Sequence, residues 1–171
     1  MWLKDVLHIA AGATVNEEVA FTEDLGDYRE SIENVQYGGN VVATLSSGSS
    51  NLATAPVEDY INNGIGLITF VGHSNGQFWQ YGLDPPEFYD NEGKYPIILS
   101  SSCFVGDIHQ PFPTNADTDP IMAERFTLAP NRGTVGFLAS VQFGFPFYLH
   151  QYTNALPVSY THLTLPTICS V

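Results

Sequence analysis

Short apolar runs alternate along this chain with polar segments rich in glycine and proline. Two of the runs are nearly continuous, at residues 65–71 and 95–102. Apolar runs of this length, without polar alternation, predict strands buried on both faces, as in a parallel sheet covered by helices. Shorter runs predict three further strands, at residues 5–10, 41–45 and 134–140.

The segments between these strands carry helix signals. An imperfect apolar period predicts a helix over 16–35. Prolines suited to a first helical turn predict two more, over 56–62 and 119–128. An aromatic segment predicts a last helix over 145–156. The order of elements predicts an α/β layered domain, with a mostly parallel sheet flanked by helices.

The domain is expected to cover residues 1–156. Residues 157–171 break the pattern and resemble translated sequencing-adapter read-through, so we interpret them as a non-native tail. We therefore expect the native chain to continue past residue 156 and the domain to be truncated here. Cys169 and His162, which lie in this tail, are assigned no function.

The net charge of the chain bears on which partners it can bind. The chain has 18 Asp and Glu residues against 5 Lys and Arg, for a formal net charge of -13. Such a field repels nucleic acid, so a nucleic-acid partner is not expected. There is no run of about 18 apolar residues, so no membrane span is predicted. The first residues lack the basic region and long apolar core of a signal peptide.

A histidine and a cysteine follow the two most apolar runs. His73 lies in the glycine-flanked segment 72–76, and Cys103 follows three serines. The carboxyl ends of parallel strands form the edge where ligands and catalysis gather. The thiol and the imidazole are therefore candidates for nucleophile and acid–base partner. Backbone N–H groups of Ser74 and Cys103 are candidates for holding an oxyanion.

A serine hydrolase is an alternative. Residues 72–76 also match the G-x-S-x-G nucleophile elbow, which would make Ser74 the nucleophile. The elbow needs a helix immediately afterwards, whereas here an aromatic, proline-containing stretch follows.

Metal binding is a further alternative. Cys103, Asp107 and His109 have side chains that can bind a metal ion, and three loop residues have side-chain oxygens that could bind calcium. These are Asn115, Asp117 and Asp119. Neither set has a recognised ligand spacing, so we predict no metal site from the pattern.

Several segments, in this order, resemble the gingipain family of caspase-fold cysteine peptidases. They are residues 61–65, Val71-Gly72-His73, Trp79, the run into Ser102-Cys103-Phe104-Val105-Gly106-Asp107, and residues 130–140. The opening residues 2–10 resemble the sortase-like component of type IX secretion systems. The resemblance covers roughly residues 1–155 and implies a caspase-like fold.

The resemblance implies a catalytic His73 and a nucleophilic Cys103. It also matches Trp79 to an aromatic residue of the loop after the histidine, with either a structural role or a contact with substrate. The family's histidine is usually followed by glycine, whereas Ser74 stands here. The implied function is a cysteine endopeptidase acting on protein or peptide through an acyl-enzyme, or a sortase-type transpeptidase. No cofactor is needed for this chemistry, but structural calcium and export to the cell surface or medium are implied. The alternative from another class is a catalytically silent domain of a secretion or adhesion machine.

Overall fold

A five-stranded, all-parallel sheet forms the centre of the molecule. The computed structural model describes residues 2–34, 38–47, 57–109 and 120–156. The strands are β1 (Asp5–Ala11), β2 (Asn40–Ser46), β3 (Leu67–Gly72), β4 (Ile97–Ser101) and β5 (Gly136–Ala139). All five predicted strands are thus confirmed, each within two residues of its predicted bounds.

Within the described residues, four helices cover the sheet. They are α1 (Val15–Ile32), α2 (Val57–Asn63), α3 (Met122–Leu128) and α4 (residues 146–156). Single 3-10 turns lie at Trp2–Lys4 and Pro86–Phe88. Helix α1 ends three residues before the predicted boundary, and the predicted starts of α2 and α3 fall outside the described residues.

The strand order is β2-β1-β3-β4-β5, so β1, the first strand in the chain, lies between β2 and β3. Each face of the sheet has its own core. Val6 and Ala10 of β1 pack with Leu25 and Tyr28 of α1 on one face. The other face carries a second cluster. Its members include Leu7, Ile9, Ile61, Phe70, Trp79, Met122 and Phe126. This burial on both faces explains the continuous apolar runs.

Helix α1 begins close to the carboxyl edge of the sheet because it follows soon after the end of β1. Side chains cap its first turn. The Thr14 hydroxyl accepts from the Glu17 N–H at 3.3 Å, and Glu17 accepts in return from the Ala13 and Thr14 N–H groups. This reciprocal capping box fixes where the helix starts. It also brings the Glu17 carboxylate to the edge where β1 and β3 end.

Some predictions cannot be compared with the fold. The calcium candidates Asn115, Asp117 and Asp119, and the interpreted tail 157–171, lie outside the described residues. Among the residues that are described, no helix combines the length and the hydropathy that a membrane crossing needs.

Candidate active site

The register of the sheet brings the two sequence-predicted residues to neighbouring positions. Strands β3 and β4 are adjacent and parallel, and Val71 pairs with Ser101. His73 and Cys103 each lie two residues beyond that pair, at the carboxyl edge. Both line one cleft, bounded by α1, α4 and these two strand ends. The predicted meeting of thiol and imidazole at one edge is therefore what the fold provides.

His73 lies against helix α1. Its Nε2 is 3.3 Å from Oε2 of Glu17, and its ring centroid is 6.2 Å from that of Phe21. The His73 side chain is 44% exposed, so it can reach a bound molecule. The contact with His73 is the main cause that lowers the pKa of Glu17, which keeps that carboxylate ionised beside the ring.

Cys103 begins a tight turn directly after β4. The next residue, Phe104, has φ of 60°, a left-handed backbone that is uncommon for a non-glycine residue. The turn is closed by bonds from Phe104 N–H to Gln142 O at 3.1 Å and from Asp107 N–H to Phe104 O at 3.0 Å. The Cys103 thiol is free and partly exposed, and the Gly144 N–H donates to its Sγ at 3.4 Å.

Ser74 is not placed as a nucleophile elbow requires. Its hydroxyl donates to the Cys103 carbonyl oxygen, and the residue forms an isolated antiparallel bridge with Trp79. No helix follows between residues 73 and 85, all of which are described. Without a helix after the serine, the elbow geometry is missing, and the serine-hydrolase alternative is wrong.

The predicted oxyanion donors are backbone groups at the same edge. Within the described part of the chain, neither the Ser74 N–H nor the Cys103 N–H donates to another protein group. The Ser74 hydroxyl bond to Cys103 O ties the two segments together. Two unused donors on joined segments are available to a ligand oxygen.

Trp79 does not take part in the cleft. It is 4% exposed, and its Nε1 donates to Ser100 Oγ at 3.0 Å. Its ring packs against Phe70 and Phe126, both at 5.6 Å between centroids. A side chain buried in this core does not meet substrate, so the position contradicts the predicted contact and assigns Trp79 to packing.

The proposed metal ligands are not assembled. Asp107 is 6% exposed and its Oδ1 accepts from the His109 N–H at 3.4 Å. Within the ranges that the structure describes, no three His, Cys, Asp or Glu side chains are grouped as a metal ion would require.

The cleft itself measures about 190 Å³. Most of its walls are apolar, from Phe21, Val71, Pro146 and Leu149. This is about the volume of six water molecules, enough for one large side chain.

A contact between a histidine and a carboxylate lines the cleft as well. Nδ1 of His150 lies 3.0 Å from Oδ1 of Asp24, and the two side chains are 23% and 28% exposed. Burial is the main cause that raises the pKa of Asp24, and the neighbouring His150 acts in the opposite direction.

Sequence reasoning missed three residues of this site: Glu17, Asp24 and His150. Glu17 carries the signal of a capping residue, since it stands three positions after Thr14 at the start of a helix. Asp24 belongs to an acidic helix, and nothing in its pattern distinguishes it from solvated acids. His150 could have been suspected only from the strand order, which brings α4 onto α1.

The model of peptidase family C25 matches residues 1–167 of the chain. No curated protein matches the sequence significantly.

Solved structures match the fold. The structure of the Arg-specific cysteine proteinase gingipain R (RgpB) matches with a TM-score of 0.73 and 20% identity, over 94% of this chain and 37% of that one. The complex of the Porphyromonas gingivalis RgpB pro- and mature domains matches with a TM-score of 0.71 and 22% identity, over 94% and 38%. A third structure, of a protease, matches with a TM-score of 0.61 and 15% identity, over 90% and 32%.

These matches confirm the predicted α/β, caspase-like architecture. The chain spans less than two-fifths of the length of each of the three solved structures. The family model, in contrast, covers nearly all of this chain. The chain belongs to peptidase family C25, the gingipain family.

Proposed function

We propose that this chain carries the catalytic residues of a cysteine peptidase that cleaves protein or peptide substrates through an acyl-enzyme. The main support for the proposal is one observation. Cys103 and His73 each lie two residues beyond the paired residues Val71 and Ser101, and both line the same cleft. Membership in a peptidase family supports it.

In the first step the Cys103 thiolate attacks the carbonyl carbon of the scissile bond. A C–S bond forms, and the proton that the thiol lost resides on His73. His73 then protonates the leaving amine as the C–N bond breaks. The Gly144 N–H, which donates to Sγ at 3.4 Å, is proposed to hold the sulfur in position for this attack.

The negative oxygen that develops in this step needs donors. The unused N–H groups of Ser74 and Cys103 are proposed to supply them. Each well-aimed donor of this kind is worth about 3 kcal/mol of transition-state stabilisation.

Glu17 is proposed as the positioning residue for the histidine. Its carboxylate lies 3.3 Å from Nε2 and stabilises the imidazolium that exists between the two proton transfers. Glu17 contacts the His73 ring but does not line the cleft in which substrate would bind.

In the second step water attacks the acyl carbon while His73 accepts a proton from it, and the C–S bond breaks to release the carboxylic acid product. His73 then returns that proton to the Cys103 sulfur, which restores the thiol. An amine in place of water would give transpeptidation from the same intermediate. Product analysis with an added amine acceptor separates these two outcomes.

The residue preference of a relative is not carried over. The RgpB structure is that of an Arg-specific proteinase, but identity is 20% and the matched part is 37% of its length. We propose, from the family, that this chain acts outside the cell. Its formal charge of -13 is compatible with that environment.

Turnover of a fluorogenic peptide library tests the proposal. We expect cleavage by the full chain, and loss of activity in Cys103→Ala and in His73→Ala. Ser74→Ala should stay active, because it removes a hydroxyl and keeps the backbone N–H. A folded chain that cleaves and acylates nothing would instead favour the silent-domain alternative.

A further inference from the structure

The wall of the cleft opposite the strand ends is closed by a histidine between two carboxylates. His150 Nδ1 is 3.0 Å from Asp24 Oδ1, and its Nε2 is 3.6 Å from Asp27 Oδ2. Asp24 and His150 both line the cleft, whereas Asp27 is 62% exposed and does not. The imidazole therefore occupies the place where a cation entering the cleft would meet Asp24.

Asp24 is the one carboxylate among the described residues that line this cleft. The remaining ionisable groups on its walls are His73, Cys103, Tyr28 and His150. From α1, Glu23 and Asp27 add negative charge next to Asp24. With His150 in contact, Asp24 already has a partner, and most of the remaining wall is apolar.

His150 is held in this position by the docking of α4. Three residues further along, Thr153 is 2% exposed, and its hydroxyl is 2.9 Å from that of Ser101 at the end of β4. The His150 ring lies 5.3 Å from the Tyr28 ring, and Ser31 donates to Asn154. The contacts of Thr153 and Asn154 hold the helix in place, and turning the imidazole away from Asp24 would lose its packing against Tyr28.

We infer that His150 is a specificity-determining residue that makes the cleft select an uncharged, apolar substrate side chain over lysine or arginine. A cationic side chain would lose water and find Asp24 already engaged, whereas an apolar one matches the walls. The inference rests on the proposed function, since it assumes that the cleft beside Cys103 receives the side chain preceding the scissile bond.

Peptide binding to the full chain carrying Cys103→Ala tests this without requiring turnover. The probes are acetyl-Ala-Ala-X-amides with X as Leu, Lys or Arg, titrated into ¹⁵N-labelled protein and followed by chemical shifts. We expect the Leu peptide to bind about tenfold more tightly than the Lys and Arg peptides. Adding His150→Gln frees Asp24, and the preference should reverse by about tenfold or more.

Control variants fix the cause. Adding Asp24→Asn to His150→Gln should abolish the reversal, and His150→Lys, which places an ammonium group beside Asp24, should keep the Leu preference. Glu30→Gln removes an equal charge from the exposed surface of α1 and should change nothing.

Three results would overturn the inference. The first is that the Cys103→Ala protein binds the Lys or Arg peptide as tightly as the Leu peptide. The second is that the added His150→Gln leaves this preference unchanged, and the third is that no peptide shifts the resonances of the cleft residues. If His150→Gln fails to fold, the variants His150→Lys and Asp24→Asn test the inference instead. Neither should gain affinity for the basic peptides, and a gain in either would contradict the inference. Intact selectivity in a chain without Cys103-dependent turnover would count against the proposed function alone.

Discussion

At the scale of single residues, the imidazole of His73 is held by two side chains of one helix. Glu17 contacts Nε2 and Phe21 flanks the ring, so the orientation of the His73 ring depends on the first turns of α1. Glu17 also caps that helix through the Ala13 and Thr14 N–H groups. One carboxylate thus links the start of α1 to the site.

Glu17→Gln tests this link. Glutamine can keep the capping box, so α1 should remain folded, but the charge beside His73 is lost. We expect kcat to fall about two- to fivefold, as for an exposed ion pair, with KM nearly unchanged because Glu17 does not line the cleft. Steady-state kinetics measure kcat and KM of this variant and of the control Asp59→Asn on α2. A fall in thermal stability with unchanged kcat would mean that Glu17 serves only as a cap.

His8 is a second residue with a distinct role, in folding rather than in the site. It is fully buried in β1 on the α1 face, and neither ring nitrogen has a hydrogen-bond partner among the described residues. Burial is the main cause that lowers the pKa of His8 to about 4. Arg29 lowers this pKa further, and Glu33 opposes the shift.

The lowered pKa of His8 predicts acid sensitivity. The unfolded chain binds a proton near pH 6.5 and the folded chain only near pH 4, so stability falls as the pH drops between these values. From pH 7 to pH 5 the loss from this group is about 2 kcal/mol. Urea unfolding at both pH values should show that His8→Leu removes about this much of the difference. An equal difference in the variant would contradict the assignment.

The sequence indicated His73 and Cys103 because each follows an apolar run that predicts a buried strand. Glu17 was out of reach of that reasoning, since it lies far from His73 along the chain and has a sufficient local role as a cap. Asp24 and His150 were missed for a related reason. Their contact joins two helices whose packing no local pattern encodes.

At the scale of elements, the end of β3 depends on a close approach to β1. A Cβ on Gly72 would lie 2.6 Å from Ala11 Cβ and 2.8 Å from Ala11 O, distances that backbone and Cβ atoms do not tolerate. Glycine at this position lets the strand that carries His73 run tightly beside β1.

Gly72→Ala should therefore destabilise the fold by about 1–3 kcal/mol, as overpacking does, and displace His73. Gly26→Ala is the matched control, because a Cβ there meets nothing within 4 Å. Gly26 lies inside α1, where alanine should stabilise the helix by up to about 1 kcal/mol. Chemical unfolding of both variants measures the two effects. Equal effects of the same sign would contradict the role given to Gly72.

Elements were predictable where burial dominates the pattern. The runs around Phe70 and Leu99 are apolar because both faces of their strands are covered, so their positions were recovered closely. Trp79 shows the limit of this reasoning. Its segment is irregular, and only the folded chain brings its ring between Phe70 and Phe126.

At the scale of the whole molecule, charge is strongly unbalanced. With a formal net charge of -13, the folded chain repels itself, whereas its exposed ion pairs contribute little. Raising chloride salt from about 20 to 500 mM shortens the Debye length to a few ångströms and should raise Tm by roughly 2–5 °C. Calorimetry at constant pH checks this, and a fall in Tm would contradict it.

The sequence predicted the class of the fold, but not the strand order β2-β1-β3-β4-β5. Periodicity reports burial of a strand and not which strands are neighbours. The adjacency of β3 and β4 is what brings His73 and Cys103 to one edge, and it became known only from the pairing of Val71 with Ser101.

The central claim is that Cys103 is the nucleophile that bonds covalently to substrate, with the help of His73. Intact-mass analysis of the chain treated with a peptidyl acyloxymethyl ketone tests it most directly, with peptide mapping to assign the modified cysteine. The account predicts one adduct, on Cys103, formed at least about a hundredfold more slowly in folded His73→Ala. Equal rates in both proteins, or an adduct on Cys169 instead, would contradict the account.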